Sequence, residues 1–276
     1  MSEIFQLCNM GSEKEFLEYP YRYKSQTANI KFDGERIMAK IENGEVLLVN
    51  RNKRACNPNF KEVVDELKKL EGNFILDGEV ISEDDDFTKL QRRALTKDKK
   101  KQEELIKEIP VKFIVFDILK YDDVVIRGKE LKYRIEKIKE FEELIKEKGI
   151  KFVEVAEFSN PKEMYKKAKE EKREGIVTKY LDYGYYEGRH NWTKIKFFKE
   201  GELEVIKYSV NPKGIRVENK EGHSCQISNT TKAEKVKKLI DEEGKALILI
   251  QYLSISPKGR YRFPSFRGIK DDEDED

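Results

Sequence analysis

The sequence predicts an α+β fold in two parts, sheets with flanking helices followed by a small β-barrel. Three observations point there. Short β-rich apolar runs alternate irregularly with charged segments whose apolar residues recur at helical spacing. The composition changes after about Phe198. Beyond that point the order is strand, strand, strand, helix, strand, strand within about 70 residues, which suits a barrel of the OB type.

The elements follow in order. Segments 28–31, 36–41 and 45–50 are short strands, and Asn43–Gly44 marks a hairpin between the last two. FKEVVDELKKL (60–70) has helical spacing. NFILDGEVI (73–81) and VKFIVFDIL (111–119) are buried strands, 131–148 and 161–172 are amphipathic helices, and 174–180 and 194–198 return to strand. The segment 203–227 holds short strands with turns at Asn211–Gly214 and Glu221–Gly222, then a helix at 231–242 and two strands. KEGE (199–202) is the expected hinge. The domains are therefore 1–199 and 200–270, with an acidic, disordered tail at 271–276.

Charged residues make up 40% of the chain, so a very polar surface covers the core. The net charge of +2 hides an asymmetry: without the six acidic residues at the end, the body has 56 basic and 48 acidic residues, a net +8. That suits a polyanionic partner. No apolar run is long enough for a membrane span, and the first residues do not read as a signal peptide. Cys8, Cys56 and Cys225 are far apart, with no disulfide or metal spacing, which fits a reducing, intracellular or cytoplasmic setting. His190 and His223, the two histidines, read as loop residues.

Five segments carry chemistry. In KFDGER (31–36), Lys31 ends a β-rich run. A lysine is a good nucleophile when its amine is neutral, which burial or nearby positive charge promotes. Gly34 lets a bound group approach the backbone. In LDGE (76–79) the carboxylates at the end of an apolar strand must face water, a metal or a cation. In FIVFDIL (113–119), Phe116 precedes a strand-terminal aspartate and can stack on a purine. EGIVTK (174–179) is the fourth, and WTKIK (192–196) the fifth. Lys194 and Lys196 lie two apart on one strand, share a face and form a site for phosphate oxygens.

In this order the five segments resemble motifs I, III, IIIa, IV and V of the ATP-dependent DNA ligases, in the lysine-dependent nucleotidyltransferase superfamily. The resemblance covers about residues 25–270. It implies an ATP-grasp-like nucleotidyltransferase (adenylation) domain of antiparallel sheets with flanking helices, then an OB-fold barrel. It also implies sealing of 5′-phosphate/3′-hydroxyl nicks in duplex DNA during replication, repair or recombination.

The resemblance assigns roles residue by residue. Lys31, with Lys194 and Lys196, forms the catalytic set; Lys31 takes AMP from ATP and the other two contact the α-phosphate. Ile30, Arg36, Glu79, Phe116 and Lys179 complete the nucleotide site, with Phe116 on adenine, Arg36 at the ribose or phosphate, and Glu79 at the ribose or a metal. Glu79 and Glu174 bind a divalent metal, Mg²⁺ or Mn²⁺. Arg51 and Arg54 in VNRNKR, and Arg92 in FTKLQRR (87–93), contact DNA. GRYRFPSFRGIKDD (259–272) resembles motif VI, with Arg262, Arg267 and Lys270 as its cations. It departs from the family where Lys270 replaces an arginine and acidic residues follow. The partner is a nicked duplex and the enzyme a cellular or phage- or virus-encoded monomer, with no further domain expected before Lys31. Glu174–Gly175 and the W-x-K-x-K segment favour this reading over an mRNA-capping guanylyltransferase, and the barrel favours it over an RNA ligase. A non-catalytic nick-binding protein is the alternative of another class.

Overall fold

The structure, a computed structural model, describes residues 5–256 and 259–270. It divides into two compact units, Met1–Lys196 and Phe197–Asp276.

The first unit begins with β1 (Gln6–Gly11), α1 (Glu13–Glu18), β2 (Gln26–Ile30), β3 (Glu35–Glu42), β4 (Glu45–Asn50) and α2 (Lys61–Leu67). It continues through β5 (Phe74–Ser82), α3 (Phe87–Leu95), α4 (Lys99–Glu108), β6 (Val111–Tyr121), β7 (Val124–Val125) and α5 (Leu131–Glu147). It closes with β8 (Val153–Val155), α6 (Pro161–Glu170), β9 (Gly175–Tyr180) and β10 (Gly188–Lys196). Local chemistry explains the boundaries. Asn43 and Gly44 both take positive φ, as the hairpin between β3 and β4 demands. Asp86 caps α3 by accepting from Thr88 N and Lys89 N, and Asn160 caps α6 with Pro161 behind it.

These strands form two sheets. One runs β4-β3-β5-β6-β7, with β8 beside β6; the other runs β1-β10-β9-β2. Antiparallel pairing was expected throughout, but β1–β10 and β6–β8 are parallel. The main core lies between the first sheet and α2 and α5, where Val63, Leu67, Ile138 and Phe141 meet Ile37, Leu76 and Val115. The sheet's other face contributes Met38, Ile75 and Leu119 to a second cluster with Tyr185 and Trp192. That second cluster sets the two sheets face to face, and a pocket lies between them.

Two expectations about the first unit need correction. Asp77 and Asp117 are not strand-terminal: each lies inside its strand, and they sit directly opposite one another across β5 and β6. The strand expected at 194–198 begins at Gly188 and stops at Lys196.

The second unit contains β11 (Lys199–Val205), β12 (Lys207–Asn211), β13 (Gly214–Glu218), β14 (Ser224–Ile227) and α7 (Thr230–Glu243). After them come β15 (Ala246–Tyr252), β16 (Ser254–Ile255), β17 (Tyr261–Arg262) and β18 (Ser265–Ile269). Two three-stranded antiparallel sheets, β11-β15-β18 and β12-β13-β14, share a core with Ala233, Val236 and Ile240 of α7. Gly244 ends α7 in the left-handed conformation. The expected hinge at 199–202 is part of β11, paired residue by residue with β15. The division falls instead between Lys196 and Phe197, ahead of the expected boundary at 199/200. The tail at 271–276 lies outside the described residues.

Candidate active site

Lys31 directly follows β2. Its backbone N–H donates to Gly175 O at 2.9 Å, and its ammonium donates to Glu174 Oε2 at 2.8 Å. Lys196 reaches the same carboxylate from β10, with Nζ 2.5 Å from Oε1. The Glu174 side chain is only 5% exposed, so it is a buried counter-ion bridging two lysines.

Around Lys31 a pocket of about 240 Å³ opens between the two sheets. Strand alternation builds its floor. On β9 and β10 the opposed pairs are Lys179–Trp192, Val177–Lys194 and Gly175–Lys196. Lys179, Trp192, Val177, Lys194 and Lys196 line the pocket, whereas Thr178 and Ile195, one residue out of phase, are fully buried. The first sheet contributes Arg36, Glu79 and Phe116 to the lining, and Ile30 and Arg51 complete the expected set. Such a concentration of cations is a site for a polyanion.

Burial shapes the charges. The Lys179 ammonium donates to Phe116 O at 3.1 Å and sits over the rings of Trp192 and Phe116 at 4.2 and 4.7 Å. Its desolvation pushes its pKa down to about 8. Burial, reinforced by the charges of Lys196 and Lys31, also lowers that of Lys194. Burial pushes Glu79 up to about 8, against the pull of Lys31 and then Arg36. A carboxyl whose folded pKa is raised binds a proton on folding. The stability contribution of Glu79 is therefore greatest below its unfolded pKa and is lost as pH rises through about 8. Relative to wild type, the Glu79→Gln variant should gain stability between about pH 5 and 8 and level off above that in parallel denaturant titrations. A gap that does not change with pH would contradict this.

Arg36 was expected at the ribose or phosphate. It lines the pocket, but its guanidinium is already held by Asp77 through two bonds, Nε–Oδ1 at 3.0 Å and Nη2–Oδ2 at 2.6 Å. The Tyr185 hydroxyl donates to the same Asp77 at 2.7 Å. The strand carboxylate has thus found a cation, and the cation belongs to the protein. Asp117 is matched in the same way by Arg134 of α5, Nε–Oδ1 at 2.6 Å and Nη2–Oδ2 at 2.9 Å, with both side chains fully buried.

Gly34 was expected to let a bound group approach; it shares with Gly78 and Gly175 a different reason for being glycine. A Cβ at Gly34 would lie 2.1 Å from Val80 O, at Gly78 2.5 Å from Ile114 O, and at Gly175 2.1 Å from Ile195 O. At each position the protein's own backbone, rather than a ligand, takes the space.

The other expected residues are dispersed. The loop after β4 is tied by the Asn50 side chain, which accepts from Asn52 N and Arg54 N; it presents Arg51 to the pocket and leaves Arg54 exposed. Arg92 lies on the surface of α3, paired with Glu108. The buried arginine of that helix is Arg93, which donates to Asn59 O, Ile109 O and Glu62. Arg262, Arg267 and Lys270 belong to the second unit; Arg267 donates to Gln251, and Lys270 pairs with Glu202 at 2.6 Å. Among the described residues no group of three or more His, Cys, Asp or Glu is placed to share a metal ion, and no helix is long and apolar enough to cross a membrane.

Sequence reasoning missed Leu7, Cys8, Asn29 and Arg189, all of which line the pocket. Asn29 lies on β2 two residues before Lys31, and that spacing was available as a signal. Its Nδ2 donates to Glu157 O at 2.7 Å, while Oδ1 is buried without a partner.

A lysine held by a buried carboxylate thus lies in a cation-lined cleft between two sheets, and solved structures share this fold. One, described as "Pmar-Lig_PreS3", superposes with a TM-score of 0.75 at 20% identity, covering 97% of this chain and 68% of that one. Another, from work on the DNA binding of minimal-scaffold Lig E DNA ligases, gives 0.67 at 15% identity over 98% of this chain and all of that one. A DNA ligase from Aeropyrum pernix is 27% identical over 186 residues, which is 64% of this chain and 31% of that protein. The chain thus spans under a third of the length of the curated relatives it matches. The model of the ATP dependent DNA ligase domain matches residues 12–196. This chain belongs to that family.

Proposed function

We propose that this chain is an ATP-dependent DNA ligase that seals nicks through a lysyl-AMP intermediate. The observation that carries the reading is Lys31 set against Glu174 beneath a wall formed by Lys194 and Lys196. In the first step Lys31 Nζ attacks the α-phosphorus of ATP, the bond to pyrophosphate breaks, and the amine gives up its proton. In the second a 5′-phosphate oxygen of DNA displaces the lysine, which regains a proton. In the third the 3′-hydroxyl attacks the adenylated 5′-phosphorus and AMP leaves.

The residues present support these roles. Lys194 and Lys196 offset the charge that builds on the α-phosphate. Phe116 offers a ring face to adenine. Two carboxylates beside Lys31, Glu79 and Glu174, fit Mg²⁺ or Mn²⁺, because such an ion takes one or two carboxylates and completes its shell with phosphate oxygens and water. When bound, the ion supplies charge neutralisation to the phosphates. Arg51 is suited to a DNA 5′-phosphate. We infer an OB-fold for the second unit from its two small sheets and single helix between β14 and β15.

The orphan Oδ1 of Asn29 bears on the choice of base. A buried acceptor rewards a ligand with an exocyclic amine, which adenine has where guanine carries a carbonyl. Asn29→Leu should lower the ATP-over-GTP preference in self-labelling by roughly tenfold. An unchanged ratio would remove Asn29 from base recognition. The overall reading is tested by sealing a nicked duplex labelled at the 5′-phosphate at the nick. Failure to seal either that substrate or its pre-adenylated form would overturn it.

A further inference from the structure

β1 precedes the span matched by the family model, which starts at residue 12, yet it forms a wall of the pocket through Leu7 and Cys8. It runs parallel to β10, with Gln6 opposite Gly188 and Leu7 opposite Arg189; pairing then resumes with Asn9 opposite Thr193. A single residue of β1 therefore faces three of β10, and His190, Asn191 and Trp192 form a bulge. Bulges re-aim side chains. Arg189 and Lys194 are separated by an odd number of positions, so in an unbroken strand they would point to opposite faces. Here both line the pocket, together with Lys196.

Two side chains of β1 grip this bulge. Gln6 is fully buried: its Nε2 donates to Asn191 Oδ1, and its Oε1 accepts from Tyr186 N at 2.8 Å. Its main chain is engaged as well, the N–H donating to Tyr185 Oη at 3.0 Å and the carbonyl accepting from Arg36 at 2.7 Å. Asn9 Nδ2 donates to His190 O at 2.7 Å. Buried carboxamides are costly unless bonded, and these bonds are available in one register of β10 against β1.

We propose that the Gln6–Asn191 pair is a register clamp, and that Gln6 and Asn191 are positioning residues that place Arg189 beside Lys194 and Lys196 as a third phosphate-binding cation. The inference rests on the nucleotidyl-transfer reading above. Gln6→Met keeps the main-chain bonds and approximate size but removes the side-chain bonds. At saturating ATP its self-adenylation rate should fall roughly tenfold to a hundredfold. Arg189→Ala should slow the wild type by a similar factor but add little to Gln6→Met, because the clamp acts through it.

A second readout needs no turnover. Trp192 is the chain's single tryptophan, follows Asn191 in the bulge and is 2% exposed. Gln6→Met should raise acrylamide quenching of its fluorescence about twofold or more, as the bulge loosens. A folded Gln6→Met protein with wild-type quenching overturns the clamp, whether or not the protein adenylates. Additive rate effects of Gln6→Met and Arg189→Ala overturn the coupling. Wild-type protein that takes no label from ATP overturns the nucleotidyl-transfer reading, and the quenching result still decides the clamp. Should Gln6→Met fail to fold, Asn191→Ser carries the same two readouts with the same expected and overturning results.

Discussion

Lys31→Ala should take up no label from ATP radiolabelled at the α-phosphate, whereas the wild type should carry one covalent AMP through a denaturing gel. The expected loss is about 10⁴-fold or more, because no neighbouring group replaces an absent nucleophile. Lys194 and Lys196 also line the pocket, but the reading above uses both as cations on the phosphate, so neither stands in for Lys31. The same variant should still seal pre-adenylated nicked DNA, since the third step uses Lys31 as a cation at most. That combination separates a ligase from a nick-binding scaffold. A labelled Lys31→Ala protein would move the nucleophile elsewhere, and label from GTP alone would move the chemistry to capping.

The second large effect concerns stability. Asp77 and Asp117 oppose one another across β5 and β6, and both are fully buried. Like charges in that position repel. Each is matched by its own arginine, Arg36 for Asp77 and Arg134 for Asp117. Arg134 also donates to Lys129 O and Tyr183 O, so it ties α5 and the loop before Tyr185 to the sheet. Asp117→Ala leaves a guanidinium buried without its carboxylate, and the expected cost is about 3–5 kcal/mol. Replacing Asp117 and Arg134 together by apolar residues should cost far less, because the desolvation penalty leaves with the charges. Denaturant midpoints of the two variants check this. A single-variant loss below about 1 kcal/mol would show that water reaches Arg134.

What the sequence disclosed, and what it hid, divides along physical lines. Lys194 and Lys196 were legible as neighbours because two-residue spacing on a strand is a local rule. Lys31, Glu79 and Phe116 were legible as site residues through the resemblance, and the pocket does gather them. Arg189 was hidden because its orientation depends on a bulge created by β1, far away in the chain. β1 itself, QLCNMG, lacks a clean alternation and owes its existence to its partner. Asp77 and Asp117 were misjudged as strand ends for a related reason: their arginines lie on other elements, so nothing local announces a paired charge. KEGE looked like a hinge from its composition, but each of its residues pairs in register with one of β15. In FTKLQRR two adjacent arginines compete, and only the packing of α3 against Asn59 shows that Arg93 is inward and Arg92 outward.

The three glycines have a consequence for how sequences of this kind are read. Gly34, Gly78 and Gly175 stand inside the most recognisable segments, yet each is required where one stretch of main chain passes another. Selection for folding alone would keep them. A descendant that had abandoned its reaction would therefore still display K-x-D-G-like, D-G and E-G-like remnants, with only the charged members free to drift. In sorting working enzymes from retired scaffolds among distant relatives, the glycines carry no vote; the informative positions are Lys31, Glu174, Lys194 and Lys196, whose clustering the fold alone would not reward.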